Sequence, residues 1–140
     1  MTTISYPPKP VPGDRIAVVS PGSGLPGLFP RPFELGLERL RKEYGLEPVE
    51  YQTTRKMGST PQERAADLHA AFADPDVKAV MASIGGDDQI TVLPFLDREL
   101  IGAHPKPFFG MSDNTNLLAF LYNTGVVGYH GTSVMVEFGR

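Results

Sequence analysis

Residues Phe108–Leu121, FFGMSDNTNLLAFL, contain an abrupt change of pattern. The apolar residues before the change predict a strand over Lys106–Met111, and the leucine spacing after it predicts a helix over Asn114–Tyr122. Ser112 therefore lies in a tight turn between a strand and a helix. A serine at such a place either caps the helix or projects from the turn as a nucleophile. The two interpretations require different partners from the rest of the chain.

Short apolar runs and amphipathic segments alternate along the rest of the sequence. Arg15–Ser20 and Ala79–Ile84 are apolar and each ends at a glycine-containing turn, which is typical of strands buried on both faces of a parallel sheet. Thr60–Glu63, TPQE, has the form of a capping box and predicts a helix after it. This alternation predicts a doubly wound, mostly parallel α/β sheet. The other predicted elements are a helix over Phe33–Tyr44 that stops at Gly45, a strand over Glu47–Tyr51, a helical segment over Gln89–Leu96 and a last strand near Gly128.

Length and composition indicate one compact domain. A chain of 140 residues is long enough for its own core and too short for two ordinary domains. The formal net charge of -3 favours neither nucleic acid nor a membrane surface as a partner, and no apolar run approaches the roughly 20 residues of a membrane span. The absence of cysteine excludes disulfides, thiolate catalysis and cysteine-ligated zinc. We predict a cytosolic protein in which residues 1–13 are an extended, proline-rich lead-in and residues 14–140 form the domain.

Three loops with unusual sequences follow predicted strands, namely Pro21–Gly24, Gly85–Asp88 and Gly110–Asp113. Ligands of open parallel sheets bind outside the carboxyl ends of the strands, so we expect these loops to form a site. A serine nucleophile needs about two backbone N–H groups that hold the oxyanion, and Asp113 and the glycines of the second loop can supply them. The alternatives are an ordinary turn at the two glycines, a helix cap at the serine and a phosphate-binding first loop.

The sequence offers few other groups to this site. No histidine or further acid lies near Asp87–Asp88 in sequence, so we predict no metal. Serine chemistry also needs a base, and the chain has three histidines. We expect His69 on a helix and His104 in a loop, whereas His130 can lie at the same sheet edge as Ser112. A complete triad is not expected within these 140 residues.

Two segments together resemble a known family. IGGDDQITVLPFLD, residues 84–97, supplies a Gly-Gly pair, and FFGMSDNTNLLAFLYNTG, residues 108–125, contains Gly-x-Ser-Asp-x-Thr. Because both segments occur together at this separation, the chain resembles the LD-carboxypeptidase family of serine peptidases, and more closely its microcin C immunity, or MccF-like, branch. The likeness extends from about Gly13 to Arg140. It implies a flavodoxin-like or Rossmann-like fold, similar to class I glutamine amidotransferases, that forms the N-terminal domain of a longer enzyme.

The resemblance assigns roles to residues of the predicted site. It implies that Ser112 is the catalytic nucleophile and that the N–H groups of Gly86 and Asp113 hold the oxyanion. It also implies substrate contacts at Gly85 and Asp87. These residues would together form the nucleophile-bearing half of an active site.

The same resemblance leaves the acid–base groups unassigned. The family completes its triad with a glutamate and a histidine from a C-terminal domain, and neither His130 nor Glu137 matches those positions. Asp87–Asp88 differs from the Gly-Gly-Tyr-Gly turn of peptidoglycan-recycling members and favours the MccF-like branch. Thr132 stands where many relatives have proline, which leaves the shape of its loop open.

The expected substrate is a small peptide or a peptidyl-nucleotide. By resemblance, the bond is an amide beside an acyl-sulfamoyl or phosphoramidate nucleotide group, or the LD-peptide bond of a murein tetrapeptide. No cofactor is expected, and the family tends to form homodimers. We expect little peptidase activity from this chain without the C-terminal domain. The alternative is a stand-alone flavodoxin-like binding or dimerisation module in which Ser112 only caps a helix.

Overall fold

The computed structural model describes residues 3–140 and contains a five-stranded, entirely parallel sheet. Its order is β2-β1-β3-β4-β5, the order of flavodoxin-like folds. This confirms the doubly wound sheet predicted from the alternation of strands and helices. The strands are β1 Arg15–Val19, β2 Glu47–Glu50, β3 Val77–Ala82, β4 Phe108–Gly110 and β5 Tyr129–His130.

The two central strands are buried on both faces, as their continuous apolar sequences predict. In β1, Ile16, Ala17 and Val18 are fully buried, and β1 pairs in parallel with β3 through Val18 and Met81. The order in which strands are added changes direction between these two strands. The chain places β2 on one side of β1, and it places β3, β4 and β5 on the other side. The loops after β1 and β3 therefore meet at the switch point where α/β sheets bind ligands.

In the described part of the chain, four α-helices cover the sheet, and local signals account for most of their ends. α1 stops at Gly45, whose φ of 66° is the left-handed conformation of a helix C-cap. Thr60 and Glu63 form the predicted capping box at the start of α2. Within residues 3–140 no helix is long and apolar enough to cross a membrane. The helices are α1 Pro30–Tyr44, α2 Pro61–Ala73, α3 Arg98–Ala103 and α4 Thr115–Asn123.

The segment Gln89–Leu96 is not the single helix that its sequence predicts, and one helix of the structure was not predicted. Residues 89–96 form two short 3-10 turns instead of a helix, because Pro94 has no N–H for a helical bond and its ring would clash with the carbonyl four residues earlier. The unpredicted helix is α3. Its N-cap is Asp97, which accepts a hydrogen bond from the N–H of Leu100 at 3.0 Å, so a sequence signal was present.

The core consists of two layers, one on each face of the sheet. α2, α3 and α4 pack on one face around Phe72 and Phe108, and α1 packs on the other around Phe33 and Leu37. Val134 from the segment after β5 joins the second layer. The close packing of both layers holds the strands in place, and the loops that follow the carboxyl ends of the strands therefore start from fixed positions.

Part of the N-terminal lead-in, which we predict to be extended, makes backbone contacts with the segment before β5. Met1 and Thr2 lie outside the described residues. Ser5 forms a parallel bridge with Val126, in which its N–H donates to the Gly125 carbonyl at 2.6 Å and its carbonyl accepts from Val127 at 3.0 Å. These bonds use only backbone groups, so the side-chain pattern contains no sign of them.

Lys106 is a buried cation that caps the C-terminal end of α2. Its side chain is 8% exposed, and Nζ donates to the carbonyl oxygens of Ala71, at 2.9 Å, and Asp74. Burial lowers its pKa to about 8. Either protonation state has enough N–H groups for both carbonyls.

We expect Lys106→Met to lower the free energy of unfolding by about 1–3 kcal/mol, because one buried and one partly buried carbonyl lose their donor. The pKa in the folded state is below the ordinary value for lysine, so the folded protein releases this proton first as pH rises. The stability difference between wild type and variant should therefore grow from pH 8 toward about pH 10. Urea unfolding at several pH values checks this, with Lys42→Met as the exposed control. A difference that shrinks over this range would contradict the assignment.

Candidate active site

Ser112 has a strained backbone at the end of β4. Its φ is 59°, and within residues 3–140 it is the only residue besides glycines with a positive φ. This conformation is uncommon for an L-amino acid, and strain of this kind concentrates at functional sites. Met111 is extended, Ser112–Asn114 forms a 3-10 turn, and α4 follows directly. The chain thus makes a sharp strand-to-helix elbow with Ser112, which is exposed, at its tip.

The alternative role of Ser112 as a helix cap is not supported. The N-cap of the 3-10 turn is Met111 and the N-cap of α4 is Asn114, and neither makes a capping side-chain bond. The hydroxyl of Ser112 is therefore not used to satisfy a helix N-terminus. A strained conformation with an exposed hydroxyl is the arrangement of a nucleophile elbow.

The structure brings the glycine pair after β3 against this elbow. A Cβ atom at Gly85 would lie 3.3 Å from Oγ of Ser112 and 3.8 Å from N of Asp113. A Cβ atom at Gly86 would lie 2.6 Å from the carbonyl carbon of Gly22, in the loop after β1. A side chain at Gly86 would collide with the backbone of the loop after β1, and one at Gly85 would make an unusually tight contact with Ser112, so close approach accounts for both glycines. The three predicted loops therefore meet, and the predicted site residues Gly85, Gly86, Ser112 and Asp113 lie together.

A buried glutamine that the sequence analysis missed joins the glycine turn to the elbow. Gln89 is 1% exposed, and its N–H donates to Oδ2 of Asp113 at 2.9 Å. Its Nε2 donates to Oδ1 of Asn114 at 2.8 Å, and its Oε1 accepts from the N–H of Leu117 at 3.0 Å. One side chain therefore contacts the elbow and the first turn of α4.

Asn114 holds the elbow from inside. It is fully buried, and its Nδ2 donates to the carbonyls of Ile84, at 3.1 Å, and Met111, at 3.0 Å. A Cβ atom at Gly110 would lie 2.7 Å from Cβ of Asn114, so the two positions are matched. The sequence contained a signal for this residue, since asparagine replaces the glycine that an α/β-hydrolase elbow has two positions after its serine.

The two aspartates after the glycines have different surroundings. Asp88 accepts two bonds from Arg64, at 2.9 and 3.2 Å, and Arg64 also donates to the carbonyl of Pro21 at 2.9 Å. Arg64 is 4% exposed, so this bidentate pair clamps the first and second loops together. Asp87 is exposed and lines a cavity of about 170 Å³ beside Ser23. Asp88 is also exposed and lines the same cavity, but its carboxylate is paired with Arg64.

The three histidines are not gathered at Ser112. Nε2 of His69 accepts the N–H of Asp97 at 2.8 Å, and His104 lies at the end of α3 with Nδ1 2.8 Å from the carbonyl of Leu100. His130 is exposed in β5 and pairs through its backbone with Gly110, so it lies at the predicted sheet edge. No hydrogen bond links Ser112 to a histidine within residues 3–140.

Two further observations concern Glu137 and groups of acidic or histidine side chains. Glu137 accepts the N–H of Ser133 at 2.8 Å within the segment after β5. In the part of the chain that the structure describes, 3–140, no group of three or more histidine, aspartate or glutamate side chains is arranged to hold a metal ion.

The fold and this elbow define a doubly wound α/β domain with a serine at the sheet's ligand-binding edge. The family model of the LD-carboxypeptidase N-terminal domain matches residues 16–131. The chain therefore belongs to the LD-carboxypeptidase family, and the resemblance seen in the sequence is confirmed.

Named relatives extend this result. The microcin C7 self-immunity protein MccF of Escherichia coli is 34% identical over 133 residues, which are 91% of this chain and 38% of that protein. A probable murein peptide carboxypeptidase of Bacillus subtilis is 33% identical over 144 residues, 98% of this chain and 44% of that protein. The solved structure of MccF in complex with aspartyl sulfamoyl adenosine has a TM-score of 0.90 at 33% identity, covering 96% of this chain and 41% of that one. The chain thus spans about two fifths of these relatives' length.

Proposed function

We propose that this chain carries the nucleophile of a serine carboxypeptidase and that Ser112 is that nucleophile. The observation that carries the proposal is the positive φ of Ser112, which turns an exposed hydroxyl toward Gly85 at the ligand-binding edge of the sheet. Such a conformation is retained at a cost in stability, and a structural serine has no need of it. The matching LD-carboxypeptidase family and the name of the Bacillus relative, a probable murein peptide carboxypeptidase, support the reaction class.

The proposed reaction is nucleophilic acyl transfer. Oγ of Ser112 bonds to the amide carbonyl carbon while its proton passes to a base, and the carbonyl oxygen becomes an oxyanion. The C–N bond then breaks, the leaving nitrogen takes the proton, and water releases the acyl group from the serine. We assign the base to a histidine supported by a glutamate in the C-terminal part of the complete enzyme.

The N–H groups of Asp113 and Gly86 are the proposed oxyanion donors. Asp113 lies in the first turn after the elbow, where a helix leaves N–H groups without partners. Its carboxylate is engaged by Gln89 and Asn116, which keeps it from turning into the site. Gly86 belongs to the turn that lies against Ser112, and two such donors match the need of a tetrahedral intermediate.

For substrate, we propose a peptidyl-nucleotide or a murein LD-peptide. MccF is described in complex with aspartyl sulfamoyl adenosine, and the Bacillus relative is named for murein peptide. The exposed carboxylate of Asp87, next to the glycine turn, is a suitable contact for a substrate ammonium group. Gly85 permits close approach of the substrate to Ser112. We also propose that the protein forms a homodimer, as its family tends to do.

We expect the purified 140-residue chain to show no turnover of a peptidyl-nucleotide or a murein tetrapeptide above that of its Ser112→Ala variant. The reason is that no histidine is bonded to Ser112 within residues 3–140, and a serine without a base is a weak nucleophile. Product release followed by mass spectrometry measures this. Turnover that Ser112→Ala abolishes would show that the chain contains its own base. Calorimetry with the same ligands tests the alternative of a binding module, which would bind equally well without the hydroxyl.

A further inference from the structure

We propose that Gln89 is a positioning residue that locks the glycine turn to the nucleophile elbow, through a directional relay of hydrogen bonds with Asn114. This inference rests on the proposed function of Ser112. It concerns a residue that contacts neither the substrate nor the hydroxyl and acts through the backbone that carries them.

The direction of every bond in the relay is determined by backbone groups. The N–H of Leu117 can only donate, so its partner on Gln89 is Oε1 and Nε2 faces Asn114. The carbonyls of Ile84 and Met111 can only accept, so Nδ2 of Asn114 faces them. Oδ1 of Asn114 is then left to accept from Nε2. Neither amide can flip without losing bonds at both ends.

The relay holds both ends of the glycine turn. Ile84 precedes Gly85, and its carbonyl is bonded to Asn114. Gln89 follows the turn, and its N–H and its side chain are bonded to Asp113 and Asn114. The turn is therefore tied to the elbow through the residues that flank it on both sides, and these bonds set the distance between the proposed oxyanion donors.

Burial makes this connection stiff. Gln89 is 1% exposed and Asn114 is fully buried, so water cannot replace a lost bond. Catalytic groups that are displaced by about 1 Å lose about 100-fold in rate. A residue that sets the spacing between Ser112 and the turn should therefore affect turnover more than substrate binding.

Gln89→Glu is the sharpest test because it keeps the shape and replaces one donor with an acceptor. The new carboxylate would face Oδ1 of Asn114, which cannot turn away. In the peptidase that carries this chain, we expect kcat to fall about 10- to 100-fold with KM changed less than about threefold. A protonated carboxyl can donate again, so the loss should diminish as pH falls. Gln89→Met, which removes both side-chain bonds, should show a similar loss without this pH dependence.

Lys106→Met is the matched control for a merely structural effect. It removes a buried donor far from the elbow and should lower stability without lowering kcat. Wild-type kcat in both Gln89→Glu and Gln89→Met would overturn the proposal. A decrease in kcat no larger than that of Lys106→Met, compared at equal stability, would also overturn it.

A second readout on the 140-residue chain separates this inference from the proposed function. Amide hydrogen exchange by NMR should show faster exchange at the elbow and the glycine turn in Gln89→Met, with unchanged exchange in β1. If Ser112 proves to have no role in turnover but this coupled exchange is seen, the relay stands and the proposed function fails. Unchanged exchange at Asn114 and Leu117 would overturn the relay itself.

Discussion

Replacement of Ser112 by alanine is expected to lower kcat of the proposed complete peptidase by about 10⁴-fold or more. The change removes the atom that forms the acyl bond and leaves only the oxyanion donors and substrate binding. The fold should be unaffected, because Ser112 is exposed and its hydroxyl caps no helix. Single-turnover kinetics with a peptidyl-nucleotide and with a murein tetrapeptide measure the effect.

The same position allows a test of the strain itself. Alanine at a φ of 59° is as strained as serine, whereas glycine is not. Ser112→Gly should therefore be more stable than Ser112→Ala by about 1 kcal/mol in urea unfolding of the chain, although both lack the nucleophile. Ser5→Ala is a suitable control, since the pairing of Ser5 with Val126 uses backbone atoms. Equal stability of the two Ser112 variants would argue against a strained elbow, and full activity of Ser112→Ala would refute the proposed nucleophile.

Gly86→Ala is expected to lower kcat about 100-fold or more and to reduce stability by about 1–3 kcal/mol. The added methyl group would overlap the backbone carbonyl of Gly22, which belongs to a loop held by Arg64. The clash involves backbone atoms, which cannot rotate aside as the end of a flexible side chain can, so the glycine turn has to move away. A displaced turn no longer aims its N–H at the oxyanion that forms on the substrate.

The matched control is Gly102→Ala in α3. A Cβ atom there would be 3.8 Å from its neighbours in Thr124, which is ordinary contact, and alanine favours a helix. We expect this variant to be as stable as wild type or more stable, with unchanged kcat. Measured kcat, KM and urea midpoints for both variants distinguish a specific effect on the turn from a general effect of losing glycine. A Gly86→Ala enzyme with wild-type kcat would exclude the turn from oxyanion binding.

Most of the fold could be predicted because its signals are local. The apolar sequence of β1, the capping box at Thr60 and the stop at Gly45 each act within a few residues. The single helix predicted over Gln89–Leu96 is instead two 3-10 turns, because Pro94 lies inside it. The contacts of Ser5 leave no trace in the sequence pattern, because they are backbone bonds to a segment more than a hundred residues away.

The amino-acid sequence by itself determined the parallel sheet, the family and the position of Ser112 between a strand and a helix. Only the tertiary structure decided that Ser112 is strained and free of a capping role, and that Gln89 and Asn114 hold the glycine turn against it. The physical reason is the separation of the partners. Gln89 and Asn114 are 25 residues apart and meet only because β3 and β4 are neighbours in the sheet. Periodicity reports which face of an element is buried, whereas hydrogen bonds between loops depend on which strands lie side by side.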